Sequence, residues 1–263
     1  MRRTRRRLPA VVVGVAAVAL AFLALPVLGI AQQADWSTLW ADVTSRASRD
    51  ALRLSLVCSL SAAGLAVLLG TPLAWMLARG RVPGRALLRG VVLLPMVLPP
   101  VVGGVALLSA FSLESPIGGW LHDTFGVELP FSTAGAILAE TFVAMPFLVI
   151  VVEAALRSLD QRYEDAAASL GAGRLTVLRR VTLPLVAPAL AAGAVLAWAR
   201  ALGEFGATVT FAGNIEGRTR TLPLAVYREL ETDRAAAIAL SLLLVVVSLL
   251  VLVALRDRWF VRA

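Results

Sequence analysis

Apolar positions along this chain gather into six long runs, at about 8–30, 52–78, 87–110, 134–156, 185–211 and 235–255, separated by short polar segments. A hydrocarbon core about 30 Å thick takes roughly 20 apolar helical residues to cross. The pattern therefore predicts an all-α, polytopic membrane protein with about six transmembrane helices. Several runs carry internal irregularities, Pro146 in the fourth among them, where packing is the favoured reading. Gly70, Thr71 and Pro72 interrupt the second. Pro95, Pro99 and Pro100 interrupt the third, where missing amide donors and ring clashes allow a fixed kink or a bending gate; Gly103 and Gly104 then permit close helix contact. The fifth contains Arg200 and Glu204.

The first run follows Met1-Arg-Arg-Thr-Arg-Arg-Arg7, which looks like the start of a signal peptide, but it exceeds the roughly 7–15 residues of a signal core and five more runs follow. A retained first helix is expected. Orientation is read from the arginines, which provide all the basic charge because lysine is absent. With the amino terminus in the cytoplasm, 17 of the 25 fall in cytoplasmic segments and none in the outer loop 111–133, which carries Glu114, Asp123 and Glu128. This bias fits an even number of spans with both termini inside. Arg218, Arg220, Arg228 and Arg234 run against it. A solvated loop accounts for Arg218 and Arg220; attraction of an anion or of an acidic partner is the other reading.

Composition narrows the function. At 59% hydrophobic residues and a mean hydropathy of +0.83, the chain exceeds the roughly 45–50% apolar content of soluble domains. Its net charge of +8 sits between apolar runs and speaks for membrane orientation rather than nucleic acid. One cysteine, Cys58, and one histidine, His122, leave no disulfide framework or multi-ligand metal site. Glu140 and Glu153 share a run but stand about 20 Å apart along a helix, too far for a catalytic dyad. The polar segments are too short for a separate folded domain, and no GxxxxGK[ST] phosphate loop occurs. The chain is expected to be non-catalytic and to bind no cofactor; if ATP drives it, the ATPase is another polypeptide.

The segment between the fourth and fifth runs is the most informative. Asp160 can cap a helix with Glu164 and Asp165 in its first turn, facing the positive end of the dipole. Ala166, Ala167 and Ala168 give it a narrow face, and Gly171 can terminate it. A second amphipathic turn follows, with Leu175, Val177 and Leu178 against Arg174, Arg179 and Arg180, and Pro184 marks entry to the fifth run. Such a helix suits a groove on a partner or the lipid headgroup layer.

Asp165-Ala166-Ala167, Gly171 and Val181-Thr182-Leu183-Pro184 stand at the spacing of the pattern E-A-A-x3-G-x9-I-x-L-P. The segment thus resembles the EAA loop of binding-protein-dependent ABC importer permeases, with Asp for Glu and Val for Ile. Gly70 to Arg79, Leu94 to Gly103, Ala199 to Thr208 and Gly213 to Pro223 are similar to the molybdate/sulfate-type permease family. The resemblance implies a type I importer transmembrane domain over 51–255, with a coupling loop at 157–184. Residues 1–50 would hold the cytoplasmic tail, first helix and outer loop, and 256–263 a cytoplasmic tail. It implies a permease homodimer in lipid, two ATP-binding cassette subunits and an extracytoplasmic solute-binding protein. It assigns coupling to Glu164, Asp165, Ala166, Ala167, Gly171, Leu183 and Pro184. The substrate it implies is molybdate, with tungstate, sulfate and thiosulfate as alternatives. An ATP-independent secondary transporter or channel would also have six spans, but leaves the spaced loop unexplained.

Within the runs, Pro99, Pro100, Arg200, Glu204 and Thr208 are the candidates for a pathway or gate. Arg200 and Glu204, spaced i, i+4, can pair on one helix face. Intramembrane charges mark functional sites or structural pairs, and both readings stand here. Asn214 offers a further neutral hydrogen bond.

Overall fold

The computed structural model describes residues 9–80 and 82–260, with the side chains of 252 and 254–260 set aside. The amino-terminal arginines, Arg81 and Arg262 lie outside the described residues. Among those described, the chain is helical throughout: α1 (Ala10–Gln33), α2 (Leu39–Val43), α3 (Arg46–Arg79), α4 (Arg85–Val97), α5 (Pro100–Phe111), α6 (Pro116–Phe125), α7 (Thr133–Ser158), α8 (Arg162–Ser169), α9 (Arg174–Val177), α10 (Leu183–Leu202), α11 (Gly206–Ala212), α12 (Leu222–Leu230) and α13 (Arg234–Phe260). Five helical segments are long and apolar enough to span a membrane, and α4 with α5 forms a sixth candidate, bent by 117°.

Three of these form the core. α7 lies between α3 and α10, with Ala144, Leu148, Val149, Val152 and Leu156 packed against Ala62, Ala66, Ala74 and Leu77 of α3 and Val186, Ala197 and Ala201 of α10. α3 presents a small-residue stripe, Ala51, Ser55, Cys58, Ala62, Ala66, Gly70 and Ala74, all buried. Small residues let helix backbones approach where no hydrophobic effect drives them together. At Gly70 a methyl group would already stand 3.0 Å from Leu148 Cδ2. α1 has no buried residue and rests at the periphery against α13.

The structure departs from several sequence expectations. α3 runs unbroken through Gly70, Thr71 and Pro72. The third run does not cross as one rod. Pro99 and Pro100 lack amide hydrogens, Leu98 is extended at ψ 136°, and the chain turns sharply into α5. The amphipathic turn before the fifth span is not separate from it: α9 continues through a π-helical stretch, Leu178–Thr182, into α10. That span then breaks at Gly203 instead of continuing to 211. The loop 111–133, expected on the outer side, contains helix α6, capped by Ser115 and ended by Gly126 at φ 64°.

Candidate gate and coupling segment

Two helix breaks meet, one at Pro99 and Pro100, which are exposed, and one beside the buried Glu204 and Gly206. α5 starts after the Leu98–Pro99 bend and α11 after the Gly203–Phe205 break, and the two short helices pack on each other. Glycines make this possible. A methyl group at Gly206 would stand 2.8 Å from Pro100 Cβ, and one at Gly104 would stand 2.6 Å from Thr210 Cβ and 2.9 Å from the Ala207 carbonyl. Real side chains do not fit, so both positions require glycine for contact rather than for backbone freedom. Gly103 faces the Phe142 ring of α7.

Glu204 holds the second break. It is 1% exposed and divides its carboxylate between two tasks. Oε1 accepts a hydrogen bond from the Ala207 amide at 2.8 Å, and Oε2 lies 2.6 Å from Arg200 Nη1. The first satisfies an amide freed at the start of α11, where a negative charge also meets the positive helix end. The second neutralises a charge that would otherwise sit alone on α10. Arg200 and Glu204 are thus paired as their spacing allows, and neither Glu204 oxygen is free. Thr208 is fully buried one turn on, and its hydroxyl has no hydrogen-bond partner among the described residues. Glu140 of α7 is likewise buried, and its carboxylate has no hydrogen-bond or ion-pair partner among the described residues.

The segment after α11 is a braced loop. Arg220 donates through Nε to Asn214 Oδ1 at 2.8 Å and pairs with Glu216 at 3.0 Å. The Thr219 hydroxyl accepts from the Ile215 amide, and the Thr133 hydroxyl donates to the Arg218 carbonyl. Asn214 and Arg220 therefore brace this loop, while Arg218 is exposed.

At the other end of the bundle, Asp160 Oδ1 accepts from the Arg162 amide at 3.0 Å and starts α8. The helix closes through a Schellman arrangement. The Ala172 amide donates to the Ala167 carbonyl and the Gly171 amide to the Ala168 carbonyl, with Gly171 at φ +85°. Nothing lies near Gly171, and Tyr163, Asp165, Ala166, Ala168 and Leu170 are exposed, so α8 offers a free face. Its inner side is tied down. Glu164 Oε1 accepts from the Thr182 hydroxyl at 2.7 Å, and Oε2 lies 3.8 Å from Arg79 Nη2. Arg79 also donates to the Leu159 carbonyl at 3.2 Å. One side chain thus joins α8 to the end of α3 and to the π-helical root of α10. Sequence reasoning missed Arg79 and Thr182 as partners; they stand 85 and 18 positions from Glu164. Leu183 and Pro184 begin α10.

A helical bundle with two interlocked helix breaks in its span region and a short exposed helix anchored to two spans defines a multi-pass membrane component. The comparisons give it a family. Residues 70–262 match the family described as binding-protein-dependent transport system inner membrane component, and the chain belongs to that family. It is 51% identical over 241 residues to the molybdenum transport system permease protein ModB of Mycobacterium tuberculosis, covering 91% of this chain and 90% of that one. It is 38% identical over 221 residues to the sulfate transport system permease protein CysT of Salmonella typhimurium, covering 84% and 79%. Among solved structures, a bacterial ABC transporter that imports alginate superposes with a TM-score of 0.74 at 21% identity, covering 97% of this chain and 95% of that one. That likeness bears on the fold alone.

Proposed function

We propose that this chain is the membrane-spanning permease subunit of an ATP-binding-cassette importer for molybdate. The observation that carries the importer reading is α8: an exposed, capped helix whose inner side is fixed through Glu164 to both α3 and α10. The substrate reading is supported by 51% identity, along nearly the whole chain, to a protein named as a molybdenum permease; the sulfate permease relative favours sulfate as the second reading.

In this mechanism the chain forms a homodimer with the pathway along its two-fold axis. Two separate ATPase subunits receive the Asp165-Ala166-Ala167 face of α8, and ATP hydrolysis resides on them. Both termini face the cytoplasm, and a solute-binding protein docks on the opposite side. A dianion cannot enter hydrocarbon unaided, so the path opens to one side at a time. Closure of the ATPases displaces α8; Glu164 passes the displacement to Arg79 and Thr182, and α10 passes it to the Gly203–Phe205 break. There Gly206 and Pro100 are in contact, so α11 and α5 move as one gate. Coupling of this kind requires different contacts in two states at both faces.

The test is ATP hydrolysis in proteoliposomes holding this chain and its ATPase, with binding protein loaded with molybdate or sulfate. Stimulation by the molybdate-loaded form alone, abolished by Gly171→Trp, is the expected result. Stimulation by the sulfate-loaded form alone transfers the substrate assignment to sulfate. Oxyanion uptake with no ATPase bound would overturn the importer reading.

A further inference from the structure

The end of the bundle that carries α8 also holds a cavity of about 550 Å³ lined by Arg85, Ala86, Arg89, Gly90, Leu93 and Arg157. Three arginines from two helices, α4 and α7, line it, and two of them share one buried carboxylate. Glu153, 2% exposed, lies 2.6 Å from Arg157 Nη2 and 3.4 Å from Arg89 Nη2. Arg85 donates to the Ala78 carbonyl at 3.3 Å and has no acidic partner within 4 Å among the described residues. Two positive charges are therefore left unmatched around the cavity. Arg89 and Arg157 remain nearly half exposed, so both can turn toward a ligand.

The rest of the lining is an apolar wall, Ala86, Gly90 and Leu93 of α4. Beside it on the same helix, outside the cavity, Leu87, Val91 and Leu94, spaced i, i+4, i+7, are exposed. Arg157 stands in the last turn of α7, where an apolar span gives way to polar chain. For a helix that crosses a bilayer, such a transition falls at the headgroup layer. Basic pockets between spans at this depth bind anionic headgroups, and guanidinium forks match the geometry of a phosphate. We propose that this cavity binds an anionic phospholipid. Arg85, Arg89 and Arg157 hold the phosphate, and an acyl chain runs along Gly90, Leu93 and Leu94. Free oxyanions share the tetrahedral chemistry but make no use of the apolar wall.

The test is native mass spectrometry of the delipidated full-length chain, titrated with phosphatidylglycerol, phosphatidylcholine, inorganic phosphate or molybdate. Phosphatidylglycerol should bind at least about tenfold more tightly than phosphatidylcholine. Arg85→Gln should weaken it about tenfold, the loss of one charge-assisted contact. Arg85 has no acidic partner to strand, so the variant's melting temperature should stay near that of the unmodified chain. Leu93→Gln provides an independent arm: it should weaken the lipid severalfold. Equal binding of the two lipids, or unchanged phosphatidylglycerol binding in Arg85→Gln and Leu93→Gln, would overturn the proposal. Saturable binding of free phosphate or molybdate without a preference for phosphatidylglycerol would also overturn it.

Discussion

Glu204 performs two tasks with two oxygens, and substitutions can separate them. Arg200→Gln removes the cation and leaves a carboxylate that is 1% exposed with only the Ala207 amide as partner. Stranding one member of a buried pair costs about 3–5 kcal/mol. Glu204→Gln keeps an oxygen for the Ala207 amide but strands Arg200, whose side chain is 27% exposed. That charge is less enclosed by protein than the Glu204 carboxylate, so the cost should fall to about 1–3 kcal/mol. Glu204→Ala adds the loss of the cap, about 1 kcal/mol more. The double variant Arg200→Gln with Glu204→Gln leaves no stranded charge and should be more stable than Arg200→Gln alone. Unfolding of the purified protein in mixed micelles, followed by tryptophan fluorescence, measures all four. The expected order of destabilisation is Arg200→Gln first, then Glu204→Ala, then Glu204→Gln, with a coupling of about 2 kcal/mol between the two sites. A double variant as unstable as the sum of its singles would refute the pairing. Equal loss in Glu204→Ala and Glu204→Gln would refute the cap.

Further outcomes follow from other contacts. Gly104→Val places a side chain within 2.6 Å of Thr210 Cβ and 2.9 Å of the Ala207 carbonyl; it should destabilise by about 1–3 kcal/mol and abolish substrate uptake, scored by unfolding and transport assays. Gly171→Ala meets no atom but sits at φ +85°; it should cost about 1 kcal/mol at the α8 terminus and lower substrate-stimulated ATP hydrolysis less than Gly171→Trp does. Glu164→Gln should retain more coupling than Glu164→Ala, because an amide oxygen can still accept from Thr182; the measure is ATP hydrolysed per substrate imported. Cys58 is fully buried, so a maleimide should label it only after unfolding.

The spans were legible because each needs only a long apolar run, and a run reports its own length. Helix α8 and the entry to α10 were legible because their signals are local: Asp160, Gly171 and Pro184 each act within a few residues of their own position. What lay hidden depends on distant chain. Whether Pro99 and Pro100 bend a span slightly or by 117° is decided by the bed that α11 provides for α5, and that bed depends on Gly206, more than 100 positions away. Gly70, Thr71 and Pro72 look equally disruptive, yet α3 stays straight enough to continue, because Gly70 is pressed onto Leu148 and Val149 of α7. Asn214 and Arg220 read as free polar groups in sequence, whereas Arg220 is folded back onto Asn214 and Glu216. Arg89 and Glu153 carry no signal of their pairing across 64 positions.

Helix α1 buries none of its residues and touches the remainder of the bundle chiefly at α13, with Gln33 accepting from Arg234. Its removal would leave the α3–α7–α10 core and both helix breaks unaltered. It would, however, change the parity of the crossings. A chain beginning at α2 would present its amino terminus on the opposite side of the bilayer while its carboxyl terminus stayed in place. In the topology proposed above, the amino-terminal arginines and this apolar segment would set the direction of the first crossing, and α3 would then enter the membrane from the far side.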